Sequence, residues 1–336
     1  MERFAKVAPA HDCSATSGIL IAQARPGWSI PAQLQTLGGD RESVTIDIMM
    51  PYYGDPTLLR TSVESVLRQS DPDWRLVVID DVYPDLEPGR WVAAIDDPRV
   101  EYHRNAVNLG VNGNFQESVH RARADFVTVM GCDDIMLPNY VARMHETYAL
   151  FPDASYVQPG VIVIDAAGAP ANPLPDRVKS YFRKQVATGP VLSGEPLAAS
   201  LLKGNWTYFP SICWRRDVIQ NHGFQAKLNV ALDLALQLDI VLDGGVLVYD
   251  PVETFMYRRH TASVSSWSAN DGSRFQEERD VLRAAAERTR AVGWNRAARA
   301  ATFHLSSRLN ALTRMPSAVA ARDGSGFRSL LRHLLA

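Results

Sequence analysis

The chain has 336 residues, 46% hydrophobic and 21% charged, proportions that suit a folded globular protein and exclude a fibrous or disordered one. Lys and Arg number 35 against 37 Asp and Glu, a net charge of -2, which supplies no basic field for nucleic acid. Three scattered cysteines (Cys13, Cys132, Cys213) form no disulfide framework or zinc spacing, and no apolar run nears the roughly 18 residues of a spanning helix. A cytoplasmic protein with at most peripheral membrane contact is the expectation.

Residues 1–43 carry Pro26, Pro31 and the turn Gly38-Gly39-Asp40 with no sustained period, and are expected to form an N-terminal extension. A β-rich run from Val44 to Met50 ends at Pro51. After it, Asp55 suits a helix N-cap and Pro56 the first helical position, with Leu59, Val63, Val66 and Leu67 at helical spacing. A second strand, Trp74–Ile79, closes on Asp80-Asp81. A short helical patch near Trp91, a strand at Val100–His103, the loop Arg104–Gly110 and a helix from Val111 to Arg123 follow. The apolar run Phe126–Met130 then reads as a buried strand ending in Gly131-Cys132-Asp133-Asp134. Beyond a helix over 138–150 come a strand at 155–165, a proline-rich irregular stretch over 169–190 and a helix near 195–203. The aromatic loop 204–210, a strand at 211–214, helices over 215–222 and 231–242, and an extended run 246–258 complete this half. From Ser273 the chain is expected to be helical, broken near Gly293 and Pro316.

Alternating strands and helices argue for a mostly parallel α/β sheet flanked by helices, with the loops after the strands gathered on one edge. Adjacent acids at the end of a buried strand are costly unless a cation meets them. A hard divalent cation, Mn²⁺ or Mg²⁺, takes one or two carboxylates and shares its shell with substrate phosphates. Asp133 and Asp134 are the candidates, against the simpler role of helix caps before Pro138. Asp80 and Asp81 offer acceptors for a base or ribose, or plain turn chemistry before Tyr83-Pro84. Asn105, Asn108 and Gly110 lie just before a helix N-terminus, which suits an anion or nucleotide as well as a cap by Asn108 or Asn112.

Pro51-Tyr52-Tyr53, Ile79-Asp80-Asp81, Arg104-Asn105 with Asn108-Leu109-Gly110, and Gly131 to Pro138 occur together in this order. The set resembles the nucleotide-sugar half of a family 2 glycosyltransferase of the GT-A fold, over about residues 44–262. The resemblance implies inverting transfer from a nucleotide diphosphate sugar, a UDP- or dTDP-sugar, to a hydroxyl acceptor that is a glycan, a lipid-linked sugar or a small molecule. It implies a base-and-ribose site at Pro51, Tyr53, Asp55, Asp80 and Asp81. It also implies a metal on Asp134, with Asp133 nearer the sugar or ribose. Gly131 departs from the pattern, standing where a further acid is often found. The family places a general base at a helix start after a Gly-Phe turn. Here Gly223-Phe224 precedes Leu232-Asp233, making Asp233 the candidate, with Asp239 and Asp243 as competitors. Tyr257-Arg258-Arg259-His260 resembles a late motif, implying His260 as a further metal ligand and Arg258 and Arg259 as neutralisers of diphosphate charge.

Trp206 and Tyr208 are candidates for an acceptor-stacking surface, although clustered aromatics are more often core. The implied domains are an extension (1–43), a GT-A domain (44–262, divided into a nucleotide-sugar half 44–150 and an acceptor half 151–262) and a helical C-terminal region (263–336). The basic amphipathic stretch 327–335 suits docking on the domain or on a second subunit, as in a homodimer, ahead of a membrane surface. The competing function is a non-catalytic sugar-nucleotide binding module. A nucleotidyltransferase is disfavoured because Pro51–Asp55 contains no basic residue.

Overall fold

The computed structural model describes residues 45–186, 189–259 and 273–304, with positions 307, 308, 315 and 331 beyond them. Residues 1–43, His260 and, apart from Leu331, the stretch 327–335 lie outside the described residues.

The first half alternates as its sequence pattern requires: β1 (Ile46–Tyr52), α1 (Pro56–Leu67), β2 (Trp74–Asp80), α2 (Glu87–Ala93), β3 (Val100–Arg104), α3 (Gly110–Arg121), β4 (Phe126–Val129), β5 (Ile135–Met136) and α4 (Tyr140–Leu150). Every residue of β1 and β4 is buried, as expected of strands covered on both faces. α1 starts as its sequence dictates, with Asp55 Oδ1 accepting the Thr57 amide at 2.7 Å and Pro56 in the first turn. The second half adds β6 (Tyr156–Ile164), α5 (Leu174–Val186), β7 (Val191–Ser193), α6 (Gly194–Gly204), β8 (Cys213–Arg215), α7 (Arg216–His222), α8 (Leu232–Leu242) and β9 (Val246–Arg258). Two helices follow, α9 (Ser273–Ala291) and α10 (Asn295–Phe303).

Helix α5 corrects the expectation of an irregular stretch. Pro175 falls in its first turn, where a missing N–H costs nothing, and Pro173 and Pro190 flank the helix without interrupting it. Val178 and Phe182, four apart, are half-buried, and Phe182 lies against Gly204, where an added Cβ would sit 2.4 Å from its ring.

Among the described residues nine strands form one sheet in the order β3-β2-β1-β4-β8-β6-β9-β5, with β7 also paired to β9. Pairs β1–β2, β1–β4, β2–β3 and β6–β9 are parallel, and β8, β5 and β7 run antiparallel to their neighbours. Six strands therefore end on one edge, and β8 starts there. Two hydrophobic clusters cover the sheet faces. One holds α1, α4 and Trp74; the other holds α6, α8, Trp206, Trp214 and residues of α9 and α10. The buried Asp47 of β1 is neutralised by a bidentate pair with Arg75, 2.8 Å in both arms. Burial and this carboxylate act in opposite directions on Arg75, and the carboxylate wins, raising its pKa.

Candidate active site

At the edge where β2 ends, both acids are buried and committed to the protein. Asp80 Oδ1 accepts the Tyr83 amide at 2.7 Å, and its Oδ2 accepts from the Tyr102 hydroxyl and Arg104 Nη1, both at 2.5 Å. Burial and this bond push the Tyr102 hydroxyl up to about 12. Asp81 Oδ1 accepts from Asn105 Nδ2 at 2.9 Å and the Leu109 amide at 2.7 Å, and Oδ2 from the Gly110 amide at 2.9 Å. Asn108 Nδ2 donates to the Asp81 carbonyl at 2.8 Å.

The start of α3 is therefore capped jointly by Asp81, which accepts the Leu109 and Gly110 amides, and by Asn108, whose Oδ1 also accepts the Gly110 amide at 3.1 Å, while the Asn112 side chain bonds the Gln225 and Leu228 carbonyls instead. A carboxylate offers about four lone-pair sites, so each acid keeps little capacity for a ligand. Asn114 completes the arrangement, bonding the Ile79 carbonyl at 3.0 Å and receiving Asn105 at 3.1 Å. Pro51 is buried within β1, Asp55 is engaged in capping α1, and Tyr53 is 57% exposed beside Tyr83, edge to face at 5.6 Å.

The acid pair follows β4 in a tight turn closed by the Asp134 amide on the Gly131 carbonyl at 3.3 Å. Asp134 is 0% exposed. Its Oδ1 accepts the Arg258 amide at 2.8 Å, while its Oδ2 is buried with no hydrogen-bond partner. Burial, reinforced by the neighbouring Asp133 charge, holds the Asp134 carboxyl well above the usual carboxylate range. A Cβ on Gly131 would lie 2.7 Å from Asp134 Oδ2 and 2.9 Å from Asp133 Oδ1. Both carboxylate oxygens thus converge on the space that glycine leaves open.

An orphaned buried carboxylate oxygen beside a second carboxylate fits a hard divalent cation that takes one or two protein carboxylates. Among the described residues no group of three or more His, Cys, Asp or Glu gathers in metal-holding geometry. Gly131→Ala is expected to displace both carboxylates. It should lower the melting temperature and weaken Mn²⁺-dependent UDP binding at least tenfold by calorimetry; unchanged binding would refute the crowding argument.

Arg258 is buried and bound to backbone, correcting its role as a diphosphate contact. Nε donates to the Asp133 carbonyl at 2.7 Å and Nη1 to the carbonyls of Asp165 and Ala166 at 3.2 Å, satisfying strand-end acceptors that the turn leaves over. Arg259 forms a two-armed pair with buried Asp176 of α5 at 2.5 and 2.8 Å.

In the second half of the chain, Asp233 lies in the first turn of α8. Its Oδ2 accepts Asn205 Nδ2 at 2.9 Å and its Oδ1 the Leu234 amide at 2.8 Å. Asn205 caps α6 in the left-handed region (φ 33°, ψ 62°), a conformation asparagine tolerates better than most residues. Its own Oδ1 is fixed by Thr207 Oγ1 at 3.1 Å, which receives Gln237 Nε2 at 3.0 Å.

Trp206 is 0% exposed, donates its indole N–H to Ser200 Oγ at 3.1 Å and meets Tyr249 edge-on at 6.0 Å. Tyr208 is buried too, its hydroxyl on Asp176 at 2.9 Å with Lys179 over its ring. Neither presents an open face to a sugar, because both fill the core beneath the edge. Two residues of this edge escaped sequence reasoning. The Gly204-Asn205 pair just past a helix was a readable C-cap signal, whereas Asp176 sits in a proline-rich stretch with no legible period.

Residues 47–204 match the family described as Glycosyl transferase family 2, and the sheet with its flanking helices is a GT-A fold. It is 26% identical over 223 residues to the succinoglycan biosynthesis protein ExoO of Rhizobium meliloti, covering 65% of this chain and 61% of ExoO. It is 27% identical over 124 residues to the UDP-Glc:alpha-D-GlcNAc-diphosphoundecaprenol beta-1,3-glucosyltransferase WfgD of Escherichia coli, covering 33% and 49% of the two chains. Among solved structures, Staphylococcus aureus TarS 1–349 in complex with UDP-GlcNAc superposes with TM-score 0.56 at 12% identity, covering 71% of this chain and 65% of TarS 1–349. The matched segments thus span about half to three fifths of the curated relatives' lengths. Among the described residues no helix is long and apolar enough to cross a membrane.

Proposed function

We propose that this chain transfers a sugar from a UDP- or dTDP-sugar to a hydroxyl acceptor, with inversion at the anomeric carbon. The observation that carries this reading is the pair of carboxylate oxygens, Asp133 Oδ1 and the unpartnered Asp134 Oδ2, turned together into the space beside Gly131. Asp134 and Asp133 would hold Mn²⁺ or Mg²⁺, which when bound neutralises the diphosphate and favours its departure.

Asp80, Asp81, Asn105 and Asn108 keep the nucleoside side of the edge rigid through their bonds to one another and to the backbone. Asp233 takes the proton of the acceptor hydroxyl as that oxygen forms a bond to the anomeric carbon. The bond from that carbon to the diphosphate oxygen breaks on the opposite face, and its electron pair leaves with the diphosphate. Asn205 holds one Asp233 oxygen in place, so the base has little rotational freedom to lose in the transition state. The name of WfgD, which gives UDP-Glc as its donor, and the UDP-GlcNAc complex of TarS support a nucleotide-sugar donor, and the name of ExoO supports a role in glycan biosynthesis.

A thermal-shift panel of UDP, dTDP and their sugars tests this reading. UDP or dTDP is expected to raise the melting temperature more with Mn²⁺ than with EDTA. Equal shifts in both conditions would remove the metal from the scheme, and no shift with any nucleotide would remove the donor.

A further inference from the structure

The N-cap position of helix α8, Ala231, supplies no side-chain acceptor, although Asp233 Oδ1 takes the Leu234 amide within the first turn. The amides of the segment leading into the helix find their acceptor on α9, which lies outside the matched segment 47–204. Glu277 Oε1 accepts the amides of Asn229 at 3.0 Å, Val230 at 2.7 Å and Ala231 at 2.8 Å, and Oε2 also accepts Asn229 at 3.0 Å. Three successive N–H groups converging on one carboxylate make an anion nest, here filled from within the chain. The nest ends two residues before Asp233. Farther along, Arg288 of α9 pairs with Asp239 of α8, and Leu282, Ala285 and Ala286 enter the core cluster. The docking of α9 thus has its own supports, and Glu277 is concentrated on the entry to α8.

Resting on the reading of Asp233 as the base, we propose that Glu277 is a positioning residue. By holding the amides of 229–231 it fixes the start of α8 and with it the direction of the Asp233 carboxylate, so the C-terminal helix is part of the acceptor side of the site. Without that carboxylate the three donors turn to water, and the segment that leads into α8, up to its N-cap Ala231, loosens. Loosened geometry at a base is costly, because a displacement of about 1 Å can remove on the order of a hundredfold in rate.

The full chain is compared with Glu277→Ala, Glu277→Asp, Asp233→Asn and, as a control for simple docking, Arg288→Ala. Turnover is read as UDP release from UDP-glucose or UDP-N-acetylglucosamine, whichever the wild type cleaves faster. In Glu277→Ala, amide exchange of peptides covering 228–236 is expected to quicken at least tenfold, with peptides covering 126–136 unchanged. Its kcat should fall on the order of tenfold to a hundredfold while the donor KM stays within twofold. Glu277→Asp should recover part of the kcat, and Arg288→Ala should keep the wild-type value. Turnover lost in Asp233→Asn but kept in Glu277→Ala overturns the positioning role alone. A loss shared equally by Arg288→Ala, or seen mainly in donor KM, overturns it as well. Turnover intact in Asp233→Asn overturns the assignment of the base and, with it, this role.

Discussion

Asp134→Asn is expected to stabilise the metal-free chain while abolishing its response to Mn²⁺. Asp134 is wholly buried, one oxygen has no partner, and the adjacent Asp133 adds like charge. An unsatisfied buried polar group costs about 1–3 kcal/mol, more when charged. Asparagine keeps an oxygen for the Arg258 amide and turns its NH₂ toward the region of Asp133 Oδ1, so the gain should be of that order. At about 2–4 °C per kcal/mol, the scale for domains of roughly 150–250 residues, a rise of a few degrees should be measurable in EDTA.

The pH dependence has a definite sign. The folded Asp134 carboxyl titrates above its unfolded value of about 3.9, so between the two the folded state holds a proton the unfolded chain has lost. Stability from this group therefore falls as pH rises through that window, and the cost is complete above the folded pKa and absent below the unfolded one. Asp134→Asn should flatten this contribution. A variant less stable than wild type in EDTA, or one that keeps the Mn²⁺-dependent shift with UDP, would sink the assignment.

Asp233→Asn is expected to leave nucleotide binding intact and to remove transfer. The acid pair lies in the turn after β4 and Asp80-Asp81 at the end of β2, while Asp233 rides on α8, fixed by Asn205, so the substitution leaves the residues proposed for the donor untouched. General-base contributions are typically 10²–10⁴-fold, and a loss of kcat in that range with donor KM within twofold is the anticipated result. Full transfer by Asp233→Asn would shift the search to another group. Binding without any transfer in the wild type would instead favour a non-catalytic module.

The features that depend on neighbours in sequence were legible. The buried runs of β1, β2 and β4 stand where their apolar residues put them, and Asp55-Pro56 starts α1 as the local chemistry demands. Glycine at 293, with φ +79°, does separate α9 from α10. What escaped depends on distant partners. Asp81 helps to cap a helix nearly thirty residues away, so the Asn105–Gly110 loop looked like an open anion site when its Leu109 and Gly110 amides were already bound. Arg258 looked like a free cation, and only the fold shows three carbonyls waiting for it. Trp206 stood as a candidate stacking surface because nothing in its own stretch announces Ser200 and Tyr249 as partners. Gly131 looked like a missing acid, yet any side chain there would collide with the two acids that remain.

The two residues of β5 follow the acid pair directly, and they join β9 at the far end of the sheet, Ile135 opposite Met256 and Met136 opposite Phe255. β4, on the other side of the turn, is anchored between β1 and β8. The four residues Gly131–Asp134 therefore behave like a bridge deck between two fixed abutments. Inserting or deleting even one would slip a strand register and turn buried side chains outward. Chain length at this point is set by the sheet and not by the ligand, so variation in donor preference has to be written in side chains and in exposed positions such as Tyr53 and Val107.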